Sequence, residues 1–405
     1  MPAEGVASAT PPWWRLAAPL PTLILVNLTS HLALSGGRLS GSLYTLRSGA
    51  GELWAGVFMG LFAFIPLCTS LRSGRWIDRV GARRVMQRGT LLVLAGAWLP
   101  VLWLSVPSLF AMALLVGIGY NLVSMAGLHA AASAGDAASS RQRLANFGWL
   151  GLGFATSATL GPALAGVLID AFGFRVALLV TAACTLVTLL LVFTRLGQTV
   201  PEPQELPQPR RSEVAVRGLF DLLRRPRLRQ LLLVGLTISA SWDLFVIMLP
   251  VVGTRLGFSA SLVGTISSAF ALGIFISRAL TPTLAVRFPE WHNVRASLVG
   301  IVAMFVLLPL VRAPALFIVL ALLLGVSIGL SQPNILSLLH AATPRSRSGE
   351  ALGLRYFLGN CSSVLMPLFF GSAIGVLGVL PIFWLNAGVA GAGLASAQQA
   401  VRRVR

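Results

Sequence analysis

Apolar runs of about 20 residues, the length that crosses a bilayer, recur along almost the whole of this chain. Lipid offers no partner to backbone N–H and C=O groups, so only helices and closed barrels can span it. The runs here are continuous rather than alternating apolar and polar, which makes them helices and not barrel strands. Of the 405 residues, 56% are hydrophobic and 11% charged, where a soluble protein carries roughly a quarter. Too few polar residues remain to coat a soluble core.

Twelve spans can be drawn, over about 17–45, 52–72, 88–105, 108–132, 146–169, 175–196, 230–253, 261–285, 294–312, 315–340, 351–376 and 378–398. The fold class expected is an all-α polytopic membrane protein. Residues 197–229 break the pattern. Pro201, Pro203, Pro207 and Pro209 alternate with polar residues, and a basic amphipathic stretch follows. They read as a cytoplasmic linker that rests on the anionic inner leaflet. The expected organisation is therefore a six-helix bundle over 1–196, the linker over 197–229, and a second six-helix bundle over 230–405.

The net charge of +19 would suggest nucleic acid in a soluble protein. Its distribution gives another meaning. All 31 basic residues are Arg; 25 fall on one side of the drawn spans, four (Arg47, Arg175, Arg255 and Arg312) on the other, and Arg38 and Arg278 within spans. Such a bias marks the Arg-rich side as cytoplasmic. Both termini are then cytoplasmic, the location is a cell inner membrane, and no nucleic-acid partner is implied. The first apolar run is too long for a signal peptide and reads as a retained helix. Cys68, Cys184 and Cys361 lie far apart within spans and read as buried hydrophobes. No cluster with metal-ligand spacing and no nucleotide-binding loop occurs, so no metal, cofactor, catalytic group or ATP-driven step is expected.

The halves match each other. At an offset of 208 residues, Leu28-Thr29 aligns with Leu236-Thr237, Arg47 with Arg255, Gly49 with Gly257, Gly56 with Gly264, and Phe62-Ala63 with Phe270-Ala271. Duplicated six-helix halves point to a transporter with its site at the repeat interface.

Between the second and third spans lies a short basic segment that reads as a turn-forming loop, Gly74-Arg75-Trp76-Ile77-Asp78-Arg79-Val80-Gly81-Ala82-Arg83-Arg84. Gly74, Asp78, Arg79, Gly81, Arg83 and Arg84 fit the signature between helices two and three of major facilitator superfamily transporters, which the chain resembles over nearly its whole length. Gly161-Pro162-Ala163-Leu164-Ala165-Gly166 resembles the helix-five motif that the family associates with antiporters, with Ala165 where a second Gly is usual. The resemblance implies two pseudo-symmetric bundles that rock about a central site. It also implies a gating role for Asp78 against the start of helix eleven. Many proton-driven drug exporters of the family carry an Arg in helix four; this chain has none there.

Charges within spans are costly and are functional candidates. Asp243 is the only carboxylate deep in a span, about 21 Å into helix seven. A carboxylate in low dielectric is easier to protonate, which suits a proton-coupling residue. A structural ion pair with Arg38 or Arg278 is the competing role. Arg38 belongs to a helix-one stripe, Asn27, His31, Ser35, Arg38 and Ser42, whose spacing keeps one face polar toward a central cavity. Asn121, Gln332, Asn334, Tyr356 and Asn360 are further candidates to line a substrate path, each as able to bind helix to helix. The function expected is secondary active transport of a small organic solute, coupled to H+ and leaning to efflux, by a monomer embedded in the bilayer. Proton-linked uptake of an organic anion is the alternative, and a non-transporting sensor the rival from another class.

Overall fold

The computed structural model describes residues 19–132, 140–195, 223–343 and 348–402. Twelve long helices carry those residues, with no strand among them. They are α1 (Leu20–Arg47), α2 (Glu52–Val80), α3 (Ala82–Leu102), α4 (Val106–Ala132), α5 (Ser140–Phe172) and α6 (Phe174–Leu190). Then come α7 (Pro226–Arg255), α8 (Ala260–Arg287), α9 (Glu290–Leu307), α10 (Pro314–Ala342), α11 (Ser348–Leu377) and α12 (Val379–Arg402). Most of the expected linker falls outside the described residues; its last turn belongs to α7, which begins at Pro226. Eleven of the twelve are long and apolar enough to cross a membrane. The twelfth, α1, is described only from Leu20 and carries the polar stripe.

The segment over 74–84 is not a loop. Helix α2 runs through Gly74 to Val80, and Gly81 alone breaks it, at φ 90°. The Gly81 N–H donates to the Ile77 carbonyl at 2.9 Å, and α3 starts at the next residue. A helix can project beyond the bilayer, so a charged run need not be coil; what the turn needs is one residue free to take positive φ. The side chain of Asp78 lies outside the described residues, as do residues 344–347 before α11. Cys68 is exposed rather than buried.

Helices α1–α6 pack on one another, as do α7–α12, and the two sets meet along α5 with α8, α2 with α11, and α1 with α7. The seams obey the repeat. Gly56 of α2 sits against the Pro367 carbonyl of α11, and Gly264 of α8 against the Pro162 carbonyl of α5; a Cβ at either would overlap that backbone. Gly371 packs on Glu52, and Gly166 on Ala260. Within each half, Gly117 meets the Phe62 carbonyl and Gly325 meets that of Phe270. Gly49 and Gly257 hold matching turns at φ 81° and 69°. The helix-five pair Pro162 and Gly166 thus has a counterpart in α11, Pro367 and Gly371, which the sequence comparison did not bring out.

Polar contacts between the halves collect toward the Arg-poor end. Arg255 donates to Glu52 at 2.8 Å. Asp170, in the last turn of α5, accepts from the Ala260 and Ser261 N–H groups at 3.0 and 2.7 Å and from the Ser261 hydroxyl. Ser268 donates to the Thr159 carbonyl.

Candidate functional site

Close packing at the seams leaves a cavity of about 140 Å³ between the halves, lined by α1, α2, α5, α7 and α8. His31, Ser35 and Arg38 enter it from α1 and Arg278 from α8. Leu34, Leu39, Met59, Phe154, Trp242 and Phe270 make much of the rest apolar.

Arg38 lies over the Phe62 ring, its guanidinium carbon 4.8 Å from the centroid. Its buried Nε has no hydrogen-bond partner. Asp243 is on α7 at a similar depth, counting about 1.5 Å of rise per residue from the Arg-rich end of each helix. It does not pair with Arg38. Ser362 of α11 donates to Oδ2 at 2.7 Å and Ser363 to Oδ1 at 3.0 Å. Arg38 is within electrostatic range of the carboxylate, though neither joins an ion pair among the described residues. Successive serines on a helix differ by about 100° in direction, yet both reach one carboxylate because its two oxygens divide between them.

The α1 stripe splits. His31 and Ser35 line the cavity, and Asn27 and Ser42 are buried between helices. Asn27 accepts from the Tyr120 hydroxyl of α4 at 3.3 Å, so it joins α1 to α4 rather than facing the cavity. His31 Nδ1 lies 2.8 Å from the Ser157 hydroxyl of α5, with Phe154 and Tyr120 against the ring. The Ser35 hydroxyl donates to the Ser157 carbonyl at 3.2 Å.

Other candidates fall elsewhere. Gln332 accepts from Arg278 at 3.3 Å, which ties α10 to the cavity at second hand. Asn334 accepts from Asn293 of α9 at 3.2 Å and donates to the Leu330 carbonyl at 2.7 Å, so it is interhelical glue. Asn121 reaches only the Met125 sulfur, at 3.6 Å. Tyr356 is 58% exposed, and neither it nor Asn360 lines the cavity. Sequence reading passed over Ser157, Trp242 and Ser362. The aromatic body of Trp242 next to the half-buried Asp243 was the available signal; the serines had none, being common in such helices.

In the helix-five motif, Gly161 packs on Ser35 and Gly36 of α1, Pro162 on Gly264, and Gly166 on α8. Pro162 also lines the cavity. The motif therefore joins the seam to the site.

These geometries agree with comparisons to known proteins. The chain is 26% identical over 325 residues to "Tetracycline resistance protein, class D" of Salmonella ordonez, covering 78% of each chain. It is 28% identical over 337 residues to "Solute carrier family 67 member A1" of Homo sapiens, covering 80% of this chain and 77% of that one. Among solved structures, a peptide transporter POT in complex with sulfate superposes with TM-score 0.77 at 15% identity, covering 95% of this chain and 93% of that one. The nucleoside transporter NupG gives TM-score 0.76 at 11% identity, covering 94% and 99%. The profile of the Major Facilitator Superfamily matches residues 21–357. The chain therefore belongs to the major facilitator superfamily, a family of membrane transporters.

Proposed function

We propose that this protein is a proton-coupled secondary transporter of a small organic solute, working by rocking of its two halves about the central cavity, with Asp243 as the proton site. The observation that carries the reading is the state of Asp243. It is a lone carboxylate deep in the bundle, next to the cavity-lining Trp242 though not itself part of the wall, held by two hydroxyls that tolerate either protonation state and unpaired with the nearby Arg38. A structural ion pair would place the guanidinium on the carboxylate; here it rests on Phe62. Reversible protonation beside a solute site is what coupling requires.

Export is the proposed direction. Two matched relatives are named as tetracycline resistance proteins, and a transporter gives resistance by lowering the drug's internal concentration. The α5 segment Gly161-Pro162-Ala163-Leu164-Ala165-Gly166, which resembles the family's antiporter motif, supports the same reading. The protein would lie in a cell inner membrane with the Arg-rich side cytoplasmic. The functional halves would be residues 1–196 and 230–405. Since one chain supplies every wall of the cavity, a monomer would suffice.

The test is transport by purified protein in proteoliposomes. Asp243→Asn is expected to abolish uphill flux driven by a pH gradient and to spare exchange of labelled for unlabelled solute. Uphill flux at the wild-type rate would remove Asp243 from the coupling step.

A further inference from the structure

We propose that the cavity takes an amphipathic organic anion, an aromatic or branched apolar body with one carboxylate-type head, and that the head settles at Arg38 after passing Arg278. The inference rests on reading the cavity as the transport site and adds the chemical class of its solute.

Charge comes first. Two guanidiniums line one small cavity; Arg38 stands toward the Arg-poor end of α1, where the positive-inside bias does not explain it, while Arg278 stands near the Arg-rich end of the apolar stretch Ala260–Thr281. Arg278 touches only the neutral amide of Gln332, at 3.3 Å. Arg38 has a buried Nε without a partner and an aromatic face beneath it. Asp243 is the one carboxylate close by, and its hydrogen bonds go to α11. With all three ionised the cavity as a whole carries one positive charge in excess, and uptake of the coupling proton by Asp243 leaves Arg38 without a counter-charge at its own depth. Excess charge in a low dielectric is costly unless paired, and one monoanion brings the site to neutrality. A cationic solute would deepen the imbalance.

Depth sets the order of contact. With about 1.5 Å of rise per residue, Arg278 lies roughly 14 Å nearer the Arg-rich end than Arg38. The inter-half contacts toward the other end close the cavity beyond Arg38. A solute coming from the Arg-rich side meets Arg278 first and stops at Arg38. Between them stand Leu34, Phe154, Trp242 and Phe270, the last two ring-to-edge at 5.4 Å. Such a wall suits a flat or branched apolar body.

The two arginines then differ in how they act. Loss of a charge-assisted hydrogen bond to the head costs about 1.5–3 kcal/mol, or roughly ten- to hundredfold in affinity. A charge met on the way in chiefly changes the association rate.

The experiment uses the purified full chain with benzoate, 2-naphthoate and 9-anthroate, each beside its neutral amide and the corresponding arylmethylamine, read by thermal shift and titration calorimetry. At least one acid is expected to stabilise the protein while its amide and amine do not. Arg38→Gln should weaken that acid tenfold or more, with Arg38→Lys restoring part of the loss. Arg278→Gln should leave affinity within about threefold and slow association. Size-exclusion profiles and the Lys variant separate lost binding from lost folding. The proposal is overturned if no acid binds the wild type, if an amide or amine binds as well as its acid, or if affinity survives in a folded Arg38→Gln protein. Acid binding without gradient-driven flux would count against the coupled-transport reading and leave the anion site standing. Coupled flux of a cation would do the reverse.

Discussion

At the residue scale, the paired hydroxyls on Asp243 matter most. Each of Ser362 and Ser363 serves a different carboxylate oxygen. Losing both leaves a half-buried group without donors, a change of about 1–3 kcal/mol at most. Ser362→Ala with Ser363→Ala is expected to lower gradient-driven flux about tenfold and spare solute exchange, while either single variant keeps most activity. Loss of exchange as well would give the serines a structural role. Which residues were legible from the sequence follows from the same chemistry. Arg38, Arg278 and Asp243 announce themselves because a charge within an apolar span is rare. Asn334 and Asn27 looked equivalent to them and are not: an amide can satisfy itself on a neighbouring helix, as Asn334 does with Asn293 and Asn27 with Tyr120. Periodicity places a side chain on a face and leaves open whether that face meets water or another helix.

At the element scale, span length and continuity placed all twelve helices, because hydrophobic thickness fixes their minimum length. Where helices protrude, that constraint lapses. Residues 74–80 continue α2 although their charges resemble a loop. The seams were partly legible. Gly56 and Gly264 stood out as repeat partners, but that each admits the carbonyl of a proline on the opposite half is a tertiary fact. Overpacking at such a contact costs about 1–3 kcal/mol. Gly264→Val is therefore expected to push α8 off α5, lowering the thermal stability of the purified protein and raising thiol labelling of a cysteine placed at Ser261. Unchanged labelling and stability would show the seam to be slack.

At the scale of the whole molecule, two acidic residues fasten the halves at the Arg-poor end, and magnitudes rank them. Glu52 and Arg255 remain 29% and 43% exposed, so their pair contributes about 0–1 kcal/mol. Asp170 caps the first turn of α8 across the interface with three donors, where the helix dipole adds to the hydrogen bonds. Asp170→Asn should shift the conformational balance toward an open Arg-poor end by severalfold, and Glu52→Gln by much less. Spin-label distances between α5 and α8 check this, and an equal response to the two substitutions would refute the ranking. A last consequence concerns assembly of the bundle. The polar stripe that equips α1 for the cavity also sets, within a membrane helix, a row of groups that need partners. Arg38 and His31 gain their aromatic and hydroxyl contacts only from α2, α4 and α5. Helix α1 therefore completes its polar contacts only when α2, α4 and α5 have packed against it.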